Sequence, residues 1–133
     1  MEPSVILSVW QSGDTGRLAD GLAEGVTFSS PVTDYRGRED AVHILGLIAS
    51  AIDDVHTTAA WEAERETVWA LTGKANGHDL QGMLRECHDV TGRVVHATLY
   101  LRPYRALNKA MERMGELLSA SPLPSRATPS GPD

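Results

Sequence analysis

The sequence predicts an α+β domain with a mostly antiparallel sheet and about three helices. Three segments repeat apolar residues at three- and four-residue steps, the period of an amphipathic helix. Between the second and third of them lie four strand-like runs in two consecutive hairpins, and a hairpin pairs its strands antiparallel. The chain of 133 residues is one domain's worth.

The first helical segment sets Ile6, Val9 and Trp10 on one face. It breaks at Ser12–Gly13–Asp14 and resumes with Leu18 and Leu22. Asp14 stands where an N-cap of the second piece belongs, because its carboxylate can accept from an orphan backbone N–H. Val26 to Val32 is a short strand, ended by Pro31 and a turn over Asp34 to Gly37. The second helix starts near Arg38. Ala41, Ile44, Leu45, Ile48 and Ile52 form its stripe, and Glu39 and Asp40 sit in its first turn, where the helix dipole favours acids.

Val55 to Glu64 and Glu66 to Lys74 form one hairpin. Gly82 to Asp89 and Arg93 to Arg102 form the next, turning at Asp89-Val90-Thr91-Gly92. The last helix follows Pro103, which is placed at its N1 position, with Leu107, Met111, Met114 and Leu118 on one face. From Ser119 the composition changes: four of the seven prolines and four serines fall there. Such a segment cannot bury enough apolar area to offset the entropy of ordering. The expected division is therefore a domain over 1–118 and a disordered tail over 119–133.

Composition bounds the function. Hydrophobic residues make up 41% and charged residues 23%, a globular balance. A net charge of −6 with scattered Lys and Arg argues against nucleic acid and against a polybasic membrane anchor. Cys87 is the single cysteine, so an internal disulfide is excluded and a reduced, cytoplasmic setting is expected. No signal-peptide pattern and no transmembrane run is expected. His43, His56, His78, His88 and His96 lack metal-ligand spacing, so no metal and no cofactor is expected. Gly73, Gly77 and Gly82 do not follow a strand-to-helix order and read as turn or strand glycines, not as a phosphate loop.

Three stretches carry a family resemblance: the helix break Ser12–Gly13–Asp14 with the strand Val26-Thr-Phe-Ser-Ser-Pro-Val32; Tyr35-Arg-Gly-Arg-Glu-Asp-Ala41; and Asp89-Val-Thr-Gly-Arg93 ahead of Leu101-Arg-Pro103. With the element order, they resemble the cone fold of ketosteroid isomerases, SnoaL-like polyketide cyclases and nuclear transport factor 2, and in particular bacterial SnoaL-like proteins of unassigned activity. The resemblance implies a curved sheet wrapped by helices around an internal pocket. The isomerase mechanism uses a carboxylate base and an oxyanion hole built from a tyrosine and a protonated aspartic acid. Those positions map here to Ser30, Ile6 and Leu84, none of which can perform the role. An Asp–Arg–Asp set of the epoxide-hydrolase kind is not found on inward positions.

Period-2 alternation then names candidates. If Leu84 faces the pocket, Glu86 and His88 do too, and Cys87 faces away. Val95, Ala97, Leu99 and Leu101 face inward on the next strand, and Val94, His96, Thr98, Tyr100 and Arg102 outward. Glu86 beside apolar walls is the acid/base candidate, with His88 nearer the rim and Asp34 or Tyr35 at the mouth. The competing structural reading has Glu86 paired to an arginine and His88 solvated. The expected ligand walls are Ile6, Trp10, Phe28, Ser30, Tyr35, Trp61, Trp69, Leu84, Ala97 and Leu99. They suit a small apolar or polycyclic molecule, handled by a cyclase-, isomerase- or hydrolase-like enzyme or held without catalysis. The resemblance also implies a homodimer through the outer sheet face, which would carry His96, Thr98 and Tyr100 beside Cys87.

Overall fold

The structure, a computed structural model, describes residues 3–127. Helix α1 spans Val5–Ser12 and α2 Leu18–Gly21. Strand β1 is Leu22–Ser29, β2 Asp34–Arg36, helix α3 Arg38–Ala51, β3 Asp53–Ala63, β4 Glu66–Ala75, β5 His78–His88 and β6 Val94–Arg102. Helix α4 is Tyr104–Ala120 and α5 Pro124–Ala127. The six strands form one sheet in the order β2-β1-β6-β5-β4-β3. Among the described residues, only the β1–β6 pair is parallel.

Local chemistry accounts for most of these boundaries. Ser4 caps α1 by accepting the Leu7 N–H at 3.1 Å. Gly13 ends it in the left-handed region at φ 79°. Asp14 does not cap α2: its carboxylate accepts from Gly16 N–H at 2.9 Å in the intervening turn, and α2 follows Arg17 without a side-chain cap. Leu22 opens a strand instead of continuing a helix. The segment read as an Asp34–Gly37 turn forms the short edge strand β2 over Asp34–Arg36, with Phe28 opposite Tyr35 in the β1–β2 register. Strand β5 begins at His78, four residues before the expected Gly82, because Asn76–Gly77 closes a two-residue hairpin. Both turn residues have positive φ, 49° and 82°, the requirement of a type I′ turn. Pro103 occupies the N-cap of α4, one position before N1.

One register irregularity matters for the site. Cys87 pairs with His96 and His88 with Val94, so Val95 is the extra residue of a β-bulge. A bulge shifts the alternation by one, so Val94 is buried and Val95 is exposed, the reverse of the expected facing. Above it the alternation holds, and Ala97 and Leu99 are buried.

The core lies between the inner sheet face and α1 and α3. Ile6, Phe28, Ile44, Leu45, Leu84 and Leu99 are among its fully buried side chains. Trp10 is buried there too, its indole N–H donating to the Leu45 carbonyl at 3.0 Å. Gly82 is a close-approach site: a Cβ at that position would sit 2.6 Å from the Tyr100 carbonyl oxygen of the neighbouring strand.

Helical structure continues beyond residue 118. Helix α4 runs on to Ala120, and Ser125 ties α5 to α3 by donating its N–H and hydroxyl to the Asp40 carboxylate at 3.0 and 2.6 Å. Residues 128–133 of the expected tail lie outside the described residues. Among the described residues, no helix is long and apolar enough to cross a membrane.

Candidate functional site

Strand β5 turns Leu84, Glu86 and His88 to the inner face in sequence. Leu84 meets Leu99 of β6 and Trp69 of β4. Glu86 meets Ala97 and Thr67, and Thr67 in turn meets Glu62 of β3. Leu84 is fully buried and divides the inner face into two regions.

The first region is a polar cleft of about 420 Å³ beside the start of α1, bordered by Ser4, Glu62, Thr67, Trp69, Glu86 and His88. Glu86 is only 1% exposed. One carboxylate oxygen, Oε2, accepts from the Ser4 hydroxyl at 2.6 Å. The other, Oε1, accepts from the Trp69 indole N–H at 3.1 Å and has His88 Nε2 at 3.8 Å. Burial pushes the Glu86 carboxyl above its ordinary range, and the Ser4 hydroxyl, the Trp69 N–H and His88 partly oppose that. Among the described residues, no arginine pairs with it: Arg85, its chain neighbour, pairs with Glu66. His88 is half-buried, and its backbone N–H donates to the Arg65 carbonyl at 2.8 Å.

The second region is an apolar cleft of about 220 Å³ between α3, α4 and β6. Ile48, Ile52, Leu99, Leu107, Met114 and Leu118 are on its walls, with Ser30 and Tyr35 at the β1–β2 end; the Ser30 hydroxyl is taken up in its own turn, donating to the Thr33 carbonyl and accepting from the Val32 and Thr33 N–H groups. Tyr35 stacks on Phe28 at a centroid distance of 6.3 Å. Burial raises the Tyr35 hydroxyl above its ordinary value, with Arg126 opposing. The two clefts share no bordering residue.

The sequence-derived candidates therefore separate. Glu86, His88 and Trp69 come together at the polar cleft. Ser30, Tyr35 and Leu99 come together at the apolar one. Ile6, Trp10, Phe28, Leu84 and Ala97 are packed in the core and border neither. Asp34 is exposed at the start of β2 and borders neither cleft. Trp61 is 54% exposed and stands on the outer side of the sheet, in register with Val68, Arg85 and Thr98. Cys87 is half-buried with its thiol free.

Two contributions were missed. Ser4 is the first: a Ser one residue before an apolar helical run is an N-cap signal, but nothing in the chain order ties it to Glu86. The α4 stripe is the second. Its methionines and leucines indicated a buried face, while Met111 is left 39% exposed at the cleft. Among the described residues, no three His, Cys, Asp or Glu side chains are grouped so as to hold a metal ion.

No protein-family model matches the sequence. No curated protein matches it either. Solved structures do match. An uncharacterized protein with a cystatin-like fold from Silicibacter pomeroyi superposes with a TM-score of 0.82 at 18% identity, over 87% of this chain and 84% of that one. A steroid delta-isomerase from Pseudomonas aeruginosa gives 0.81 at 22%, over 85% of each chain. The chain has the nuclear-transport-factor-2-like fold. A protein of that description and unknown function from Cytophaga hutchinsonii gives 0.66 at 12% identity, over 80% of this chain and 97% of that one. Within this fold, the inner sheet face and the helices laid over it are the surfaces that bound the two clefts.

Proposed function

We propose that the protein binds a small, largely apolar molecule in the cleft between α3, α4 and β6, without catalysing its conversion. The observation that carries this reading is the wall: apolar side chains on nearly every side, with Tyr35 at one end to fix orientation. The likeness to a steroid delta-isomerase supports an apolar ligand class, since that protein's name refers to a steroid. Steroid-isomerase chemistry is not part of the reading, because the mapped catalytic positions are Ser30, Ile6 and Leu84. Glu86 does not reach this cleft, and both of its oxygens are engaged.

Gly115 offers a clean test. It borders the cleft, and a Cβ built there meets no atom within 4 Å. Gly115→Trp should fill the space and weaken binding of a flat probe such as 2-naphthol by about tenfold or more, the loss of roughly 1.4 kcal/mol. Folding should be unharmed, because removing a helix-interior glycine favours the helix. Calorimetric titration of both proteins decides it; equal affinity would remove the apolar cleft as the binding site.

We also infer self-association through the outer sheet face. Met83 and Tyr100, paired across β5 and β6, are 44% and 57% exposed on the outer face, and Trp61 of β3 is 54% exposed on the same face beyond β4. Apolar groups so placed suit a partner surface more than water. Sedimentation equilibrium at micromolar concentration should give a dimer for the wild type and a monomer for Tyr100→Glu. A monomeric wild type would end this reading.

A further inference from the structure

The polar cleft contains a buried carboxyl group with no lysine or arginine partner among the described residues. Buried carboxylates are ordinarily paired with a cation or bound to a metal, because a lone charge is poorly solvated in the interior. Glu86 is 1% exposed, yet its hydrogen-bond donors, Ser4 and Trp69, are both neutral. Among the described residues, the one ionisable nitrogen within ion-pair distance is His88, at 3.8 Å, farther than either hydrogen-bond donor. The nearby arginines are used or displaced: Arg85 holds Glu66, and Arg65 is exposed in the β3–β4 turn at the rim.

What borders the space beside Glu86 is suited to a positive guest. The Trp69 indole turns its N–H edge to Glu86 and borders the same cleft. Indole is the best of the aromatic rings at attracting a cation to its face. Glu62 lies on the same inner row, one strand beyond Thr67, and is exposed at the mouth. A cavity of about 420 Å³ leaves room for a molecule rather than a single ion.

We propose that the polar cleft takes a small organic cation, a quaternary or protonated amine, with Glu86 supplying the charge and Trp69 an aromatic wall. This site is separate from the apolar cleft, and neither reading depends on the other. Glu86 stays fixed by Ser4 and Trp69 when the guest enters, so the site is preorganised and needs no rotamer change. Glu62 attracts the cation at the mouth.

The experiment is a nitrogen-15 NMR titration of the full chain with choline chloride. Two controls accompany it: sodium chloride, and 3,3-dimethyl-1-butanol, which has the shape of choline without its charge. The expected result is a saturable shift of the Trp69 indole N–H and the Leu7 amide with choline and with neither control. Glu86→Gln should weaken choline by at least about tenfold, since it removes the charged partner. Glu62→Gln, at an exposed position that folding does not depend on, should weaken it about two- to fivefold. If the neutral alcohol shifts the same signals as strongly, or sodium chloride does, the site does not recognise a cation and the proposal fails. It fails equally if choline acts only on Tyr35 and Met114, the signals that report the apolar cleft. The choline and alcohol comparison uses the wild-type chain alone, so it decides the matter even if Glu86→Gln does not fold.

Discussion

Phe28→Ala should destabilise the fold by about 3–5 kcal/mol, the usual range for removing a buried aromatic ring. Phe28 is 0% exposed in the middle of β1, between Tyr35 on one strand and Ala97 on the other. Both neighbours are fixed by backbone ladders, so the surroundings cannot close over the space. The Tyr35 ring also loses its stacking partner. A domain of this size holds only about 5–15 kcal/mol in reserve, so the variant gives up a large share of it. Urea unfolding followed by circular dichroism measures the loss. A change under about 1 kcal/mol would mean that the ring is not confined as the packing indicates. Because Tyr35 borders the apolar cleft, a well-folded remnant should also bind 2-naphthol more weakly.

At Glu86 the charge and the hydrogen bonds have opposite effects on stability, and two substitutions separate them. Glu86→Ala leaves the Ser4 hydroxyl and the Trp69 N–H without their acceptor. Each buried donor left unsatisfied costs about 1–3 kcal/mol, so the total for the two should be roughly 2–6 kcal/mol. Glu86→Gln removes the charge and keeps one of the two acceptor oxygens, so only one of the two donors loses its partner and the cost should be smaller.

The sign of the pH effect follows from the direction of the Glu86 shift. Burial raises the carboxyl in the folded protein above its ordinary 4.5. The folded state therefore holds this proton more tightly than the unfolded state. The stabilisation is complete below about pH 4.5 and is lost as pH rises through the folded value. Asp79 and Asp89 are held below the ordinary carboxylate range, by Lys74 and by Thr91, and slope the opposite way. Their contribution is common to wild type and variant and cancels in the difference. The stability of the wild type relative to Glu86→Gln should thus fall as pH rises from 4 to 8. Denaturant midpoints across that range test it, and a difference independent of pH would show that Glu86 is not desolvated.

The sequence was most legible where periodicity and punctuation agreed. The α3 stripe from Ala41 to Ile48, the hairpin at Glu64–Arg65 and the inward run Leu84, Glu86, His88 all follow from a 3.6- or 2-residue period read between clear breaks. What was hidden depends on pairing across strands. The Val95 bulge exists only because β5 and β6 slip by one residue near their turn, and no residue type there announces it. The short strand β2 looked like a turn because Asp34 and Gly37 are turn formers. Three residues of pairing to β1 override that preference. The site was half-visible for a similar reason. Alternation gave the wall residues on β5, but the partner that holds Glu86 is the cap of a helix eighty-two positions away.

The parallel pairing of β1 with β6 carries a consequence for how the chain assembles. Hairpins β3–β4, β4–β5 and β5–β6 join neighbours along the chain and close through short turns. Strand β1 has a local partner only in β2, and its other edge meets β6 through pairs such as Phe28 with Ala97. Contacts that distant must wait until a long loop has closed, which slows folding. A chain synthesised from its N-terminus therefore carries β1 with one open, apolar edge until the last strand has emerged. The N-terminal helix, strand and Phe28 remain exposed to misassociation until nearly all of the domain has been made.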